Sequence, residues 1–193
     1  ELAGHELEGG GSVVFQQGSL EVSDVHLRSG ENRILLNGSV ADNCELQLTF
    51  EGQDLGSLHP LLGGRAQLSC SLTGPSSEPV ALVDISLEDF SYDSHHVSEL
   101  TGSLGVRLTN GLLEAEIISS EIAFEDSTAT ISGKISWRDG LIWDNRLQLR
   151  SFDASSFDSP VAAVIDVDLS TSGQWSSEER HYKAAITDFS ATA

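Results

Sequence analysis

Six histidines, at positions 5, 26, 59, 95, 96 and 181, two cysteines and thirty acidic residues are the side chains in this 193-residue chain that could hold a metal or move a proton. Their spacing supports none of that chemistry. No histidine pair has the i,i+4 spacing of a helical zinc site or a partner pair of cysteines, and His95-His96 would point to opposite faces of an extended chain. A surface loop is the expected place for them. Asp166 and Asp168 share one strand face, as paired acid–base groups or a Ca²⁺ site would require, but thirty acids make such pairs common by chance. Gly9-Gly10-Gly11-Ser12 precedes a strand and lacks the lysine of a phosphate loop, so it reads as a flexible lead-in. Gly102-Ser103-Leu104-Gly105 lacks the residue between glycine and serine that a nucleophile elbow needs. Asn37-Gly38-Ser39 fits the glycosylation acceptor pattern, a three-residue match with little weight. The expectation is a protein with no catalytic residues, no metal and no cofactor.

Charge narrows the partners. Thirty acids against ten bases give a net charge of −20, which repels phosphate backbones and anionic headgroups, so nucleic acid is excluded as a partner. The longest apolar run, Val161 to Ile165, is far shorter than the ~20 residues of a membrane-spanning helix. A start at Glu1 and the absence of methionine fit a piece of a longer protein whose address is encoded elsewhere.

The elements that would position any site are strands. Cys44, Leu46, Leu48 and Phe50 alternate with Glu45, Gln47, Thr49 and Glu51, which gives one apolar and one wet face. The same phase recurs in Leu68, Cys70, Leu72; Val83, Ile85, Leu87; Leu100, Leu104, Val106, Leu108; and Leu113, Ala115, Ile117. It continues in Ile131, Ile135, Trp137; Leu147, Leu149; Ala163, Ile165, Val167, Leu169; and, more weakly, Tyr182, Ala184, Ile186. Asn110-Gly111 and Asp139-Gly140 are hairpin dipeptides, so neighbouring strands should be mostly antiparallel. Around Asp24 the phase flips between Leu20, Val22 and Val25, Leu27, which predicts a bulge and a curved sheet. Asp54 with Leu55, Leu58, Leu61 and Leu62 predicts one short helical turn.

That turn has an echo. Asp54, Leu58 and Gly74 align with Asp153, Phe157 and Gly173, and Leu36 to Val40 resembles Ile131 to Ile135, the difference being absorbed by a longer turn over Asp139 to Asp144. An internal repeat with units near 11–110 and 111–193 follows, as part of one elongated domain. No amphipathic helix is available to cover the apolar face, so a second sheet, closure, or something other than protein must bury it. A β-sandwich, a β-solenoid and a folded sheet with an apolar trough all remain. Cys44 and Cys70 are in phase with the apolar face, as small buried hydrophobes or as a disulfide.

The run Asp54 to Pro75, a capped Asp-Leu turn and an alternating strand ending Thr73-Gly74-Pro75, is followed by Pro79-Val80, Phe90-Ser91-Tyr92 and Leu100-Thr101-Gly102-Ser103-Leu104. It resembles the C-terminal domain of the TamB family, the inner-membrane-anchored subunit of the bacterial translocation and assembly module, within the wider AsmA-like group. The second copy, Asp153 to Pro160, lacks the Leu-Gly pair. The resemblance implies an all-β, mostly antiparallel curved sheet folded on itself like a taco, with an apolar inner groove. It also implies a periplasmic domain, anchored in the inner membrane by a segment absent here, that faces an outer-membrane partner of the Omp85 type, TamA-like. Its implied role is carrying phospholipid between the membranes and supporting outer-membrane protein assembly. The groove residues expected to face acyl chains are Leu46, Leu48, Phe50, Leu68, Leu72, Val83, Ile85, Leu104, Val106, Leu108, Ile117, Ile131, Ile135, Trp137, Leu147, Leu149, Ile165 and Val167. The alternatives are a structural or adhesive sandwich or solenoid, and a chaperone surface for unfolded outer-membrane strands.

Overall fold

The computed structural model describes residues 6–93, 95–124, 127–138, 140–153, 163–176 and 182–192. Alternating sequence and short polar turns give twelve strands: β1 (Leu7–Gln16), β2 (Ser19–Ser29), β3 (Asn32–Val40), β4 (Asn43–Gly52), β5 (Leu62–Pro75) and β6 (Val80–Tyr92). They continue as β7 (His95–Thr109), β8 (Leu112–Phe124), β9 (Ser127–Trp137), β10 (Gly140–Asp153), β11 (Val164–Ser176) and β12 (Tyr182–Thr192). All twelve lie in one antiparallel sheet in chain order, with no crossover. Among the described residues a single 3₁₀ turn, Leu55–Ser57, interrupts them between β4 and β5. No described helix is long and apolar enough to cross a membrane.

Local chemistry explains the meander. Asn110 and Gly111 both take positive φ, 50° and 77°, so β7 and β8 are joined by the tight turn that suits the right-handed twist of paired strands. Seven of the eleven strand ladders shift register once, at Gly10/Ser12, Val22/Val25, Gly63/Arg65, Ser103/Leu104, Ile117/Glu121, Leu149/Phe152 and Ser170/Thr171. Each bulge bends its strand and adds twist, so the sheet is curved and open. The expected bulge lies at Asp24, whose φ is 52°. Its effect is to return Val25 and Leu27 to the face that Leu20 and Val22 occupy, because one extra residue reverses the alternation.

Three expectations are corrected. The Gly9 to Gly11 stretch is no lead-in but the first half of β1. A Cβ on Gly9 would come within 2.6 Å of the His26 carbonyl and of Leu27 Cδ2, so glycine lets β2 approach. The long turn over Asp139 to Asp144 is instead strand from Gly140 onward, Asp139 itself lying outside the described residues. His95 and His96 open β7, paired with Tyr92 and Ser91, rather than sitting in a loop. Leu36 to Val40 and Ile131 to Ile135 fall in β3 and β9, while Phe157 and Pro160 lie outside the described residues.

No second layer stands against the sheet among the described residues. Every extensive contact joins sequence-adjacent elements, and no side chain of the described residues is completely buried. The accessible surface is 12638 Å², where a compact monomer of 20.6 kDa would expose about 8,900 Å². The excess is the mark of a single-layer sheet.

Candidate functional site

Residues directly opposite each other in a ladder carry their side chains on the same face. One registered row crosses all twelve strands: Val13, Val22, Gly38, Leu46, Leu72, Ala81, Val106, Ala115, Ile135, Trp143, Gly173 and Ala184. A second does the same: Leu7, Ser29, Asn32, Gly52, Ala66, Leu87, Leu100, Ile122, Ala129, Leu149, Val167 and Ala191. Between them run Leu36, Leu48, Cys70, Val83, Leu104 and Ile117, and Leu27, Ile34, Phe50, Leu68 and Ile85, a line taken up again by Ile131, Leu147 and Leu169. Leu108, Leu113, Trp137, Leu141 and Trp175 edge the face at one set of strand ends. Ile165, opposite Phe152, extends it at the other.

All eighteen groove residues expected from the sequence therefore share one face. None of the residues in these rows is charged. The sequence reading omitted Trp143, which sits between Ile135 and Gly173 in the first row, because Asp144 and the in-phase polar Asn145 masked its strand. It also omitted Val13, Leu27, Ile34 and Leu36, where glycines, the Asp24 bulge and the out-of-phase Leu35 broke the alternation. The Trp137 and Trp175 rings lie 5.8 Å apart at 40°, a tilted aromatic pair at the rim.

The opposite face holds the charge. Arg33–Glu51, Arg65–Glu88, Lys134–Glu116, Arg146–Asp168 and Arg150–Asp168 pair at 2.6–3.2 Å, all on it. Such exposed pairs contribute little stability and keep the sheet in water. A hollow there collects Arg107, Glu114, Glu116, Lys134 and Asp144, with the two signs offsetting each other. Asp168 accepts from Gln148 Nε2 at 2.5 Å, Arg150 at 2.9 Å and Arg146 at 3.1 Å. These hydrogen bonds, Gln148 first, hold its pKa down at about 2. Asp166 accepts from the Ser151 backbone N–H, so the two aspartates serve separate structural partners. Ser103 Oγ donates to the carboxylate of Asp84, with no histidine in that contact. Among the described residues no group of three or more His, Cys, Asp or Glu converges as metal ligands do.

Cys44 and Cys70 are both free. Cys44 faces Gly74 and Cys70 faces Leu48, four residues further along the strand. That offset is about 13 Å, well beyond the ~7 Å a disulfide spans. Both are small apolar side chains of the face.

The geometry defines a class: an open, single-layer amphipathic sheet whose main uncharged feature is a whole face rather than a pocket. A family model described as TamB, N-terminal domain, matches residues 1–117. The chain belongs to the TamB family. The match corrects the expectation of the C-terminal domain, although Asp54 to Pro75 and Leu100 to Leu104 lie inside it. Alternating strands with glycine turns repeat, so they mark the family without marking the segment. No curated protein and no solved structure matches the chain.

Proposed function

We propose that the uncharged face carries phospholipid acyl chains between the inner and outer membranes, in the periplasm, as part of the role in the translocation and assembly module that TamB family membership suggests. One observation carries the reading: two uncharged rows cross all twelve strands and no second sheet among the described residues covers them. A bare aliphatic face is costly in water, and each methylene it shelters contributes ~0.8 kcal/mol, so acyl chains can travel along it without any catalytic group. The acidic opposite face keeps the sheet from lying flat on anionic leaflets. An Omp85-type, TamA-like protein is the partner this reading requires at the outer membrane, with outer-membrane protein assembly as the process served.

Native mass spectrometry of the chain recovered from a periplasmic extract tests it. Adducts of phospholipid mass are expected on the wild type and absent from folded Leu104→Asp and Ile135→Asp variants, whose new charge reaches water on an open face. A wild type without adducts, or charged variants that retain them, would overturn it. A second reading rests on the outer edges of β1 and β12, which pair with no strand among the described residues. An added strand there would protect β12 amides and leave the face unoccupied.

A further inference from the structure

Among the described residues, one turn of the chain lies over the apolar face. Four apolar side chains are buried among the described residues, Val22, Cys44, Leu55 and Ala129, and only Leu55 comes from outside a strand. It belongs to the 3₁₀ turn after β4 and is 5% exposed. A Cβ added to Gly52 would lie 2.8 Å from both Leu55 Cδ2 and Phe50 Cζ, so the two side chains meet over Gly52. Gly52 and its partners Asn32 and Ala66 belong to the uncharged row on β3, β4 and β5. Leu55 therefore rests on the surface that an acyl chain would use.

A polar latch holds the turn there. Asn32, 3% exposed, donates from Nδ2 to the Asp54 carbonyl at 2.9 Å and to Ser57 Oγ at 2.7 Å, and its Oδ1 accepts from the Asp54 N–H at 3.3 Å. Ser57 Oγ donates to the Asp54 carbonyl at 2.8 Å. Asn32 thus places an amide in an uncharged row where a leucine would bury more area; it also donates to the Ser29 carbonyl on β2 at 3.4 Å, and its other partners lie in or beside the turn. The turn's buried apolar anchor is a single leucine, an attachment small enough to exchange for a ligand.

We propose that the Leu55 turn is a displaceable plug: it fills the apolar face at β3–β5 in the empty protein, and an acyl chain binds there by lifting Leu55 off Gly52. The proposal rests on the reading of the face as an acyl-chain path, and it adds regulation to that path. Ligand affinity is then reduced by the fraction of molecules with the plug in place, a reduction that weakening the latch removes.

The test uses cis-parinaric acid, a fluorescent fatty acid, with the full chain. Asn32→Ala and Leu55→Ser should each bind it about three- to tenfold more tightly than wild type, as expected when the competent state becomes dominant. Hydrogen exchange on the wild type gives a readout that needs no variant to fold. The Leu58 and His59 amides, which donate to the Leu55 carbonyl at 3.0 and 3.2 Å, should exchange faster once cis-parinaric acid is bound. Wild-type binding with those amides unchanged, or weaker binding in Leu55→Ser, overturns the plug and leaves the path intact. Absence of binding in every form removes the path, and the plug with it.

Discussion

Asp168 gathers two guanidinium groups and an amide on the polar face, and its acidity reports that arrangement. Its pKa is lowered from 3.8 to about 2. A carboxylate with a depressed folded-state pKa contributes stability that is fully present above its unfolded pKa and is lost as pH falls through the folded one. Asp168→Asn should therefore lower the thermal midpoint at neutral pH, and the gap from wild type should close between about pH 4 and pH 2. A gap of the same size at the acid end of a calorimetric series would mean that Asp168 acts through packing instead. The shared face of Asp166 and Asp168 was legible in the sequence, because period-two alternation alone decides it. Their partners were not legible: Gln148, Arg146 and Arg150 come from β10, and only the register between two strands brings them to Asp168. The same limit applies to Cys44 and Cys70, whose faces followed from phase but whose separation followed from register.

At the scale of the element, bulges decide which face a strand offers. The Asp24 bulge in β2 is held by Asn37 Oδ1, which accepts from the Asp24 N–H at 2.6 Å across the ladder to β3. Asn37→Ala leaves that backbone donor to water and should cost about 1 kcal/mol in denaturant unfolding. Amide exchange over 22–25 should accelerate with it, whereas unchanged exchange there would show that the bulge holds itself. Without the bulge, Leu20 and Val22 would face away from Val25 and Leu27. Strands with unbroken alternation, such as β4, β5 and β6, were readable directly for this reason. The glycine half of β1 and the first half of β10 were not. In β1 the glycines that admit β2 carry no hydrophobic signal, and in β10 Asn145 places a polar residue in phase with Trp143. Ile118 is the converse case: it lies at the bulge beside Ile117 and stands 56% exposed near Gly105, off the apolar face.

Across the whole molecule, hairpin connections pass one face from strand to strand without inversion, and bulges correct the phase where it would slip. The result is an uncharged surface as long as the sheet, in a chain whose net charge is −20. A sandwich would bury that surface against a second layer, but the extensive contacts of the strands here are with their neighbours, and among the described residues the face has no second sheet over it, only the turn that carries Leu55. The claim that this surface carries lipid is tested most directly by photo-crosslinking in cells. Crosslinkers at Leu46, Leu68, Leu104, Ile117, Ile135, Leu149 and Val167 should all capture phospholipid, because these positions share the face, while those at Glu45, Glu116 and Asp168 on the opposite face should capture none. Equal capture from both faces, or capture confined to a single position, would contradict a continuous lipid path and leave the apolar rows as no more than the inner surface of a folded sheet.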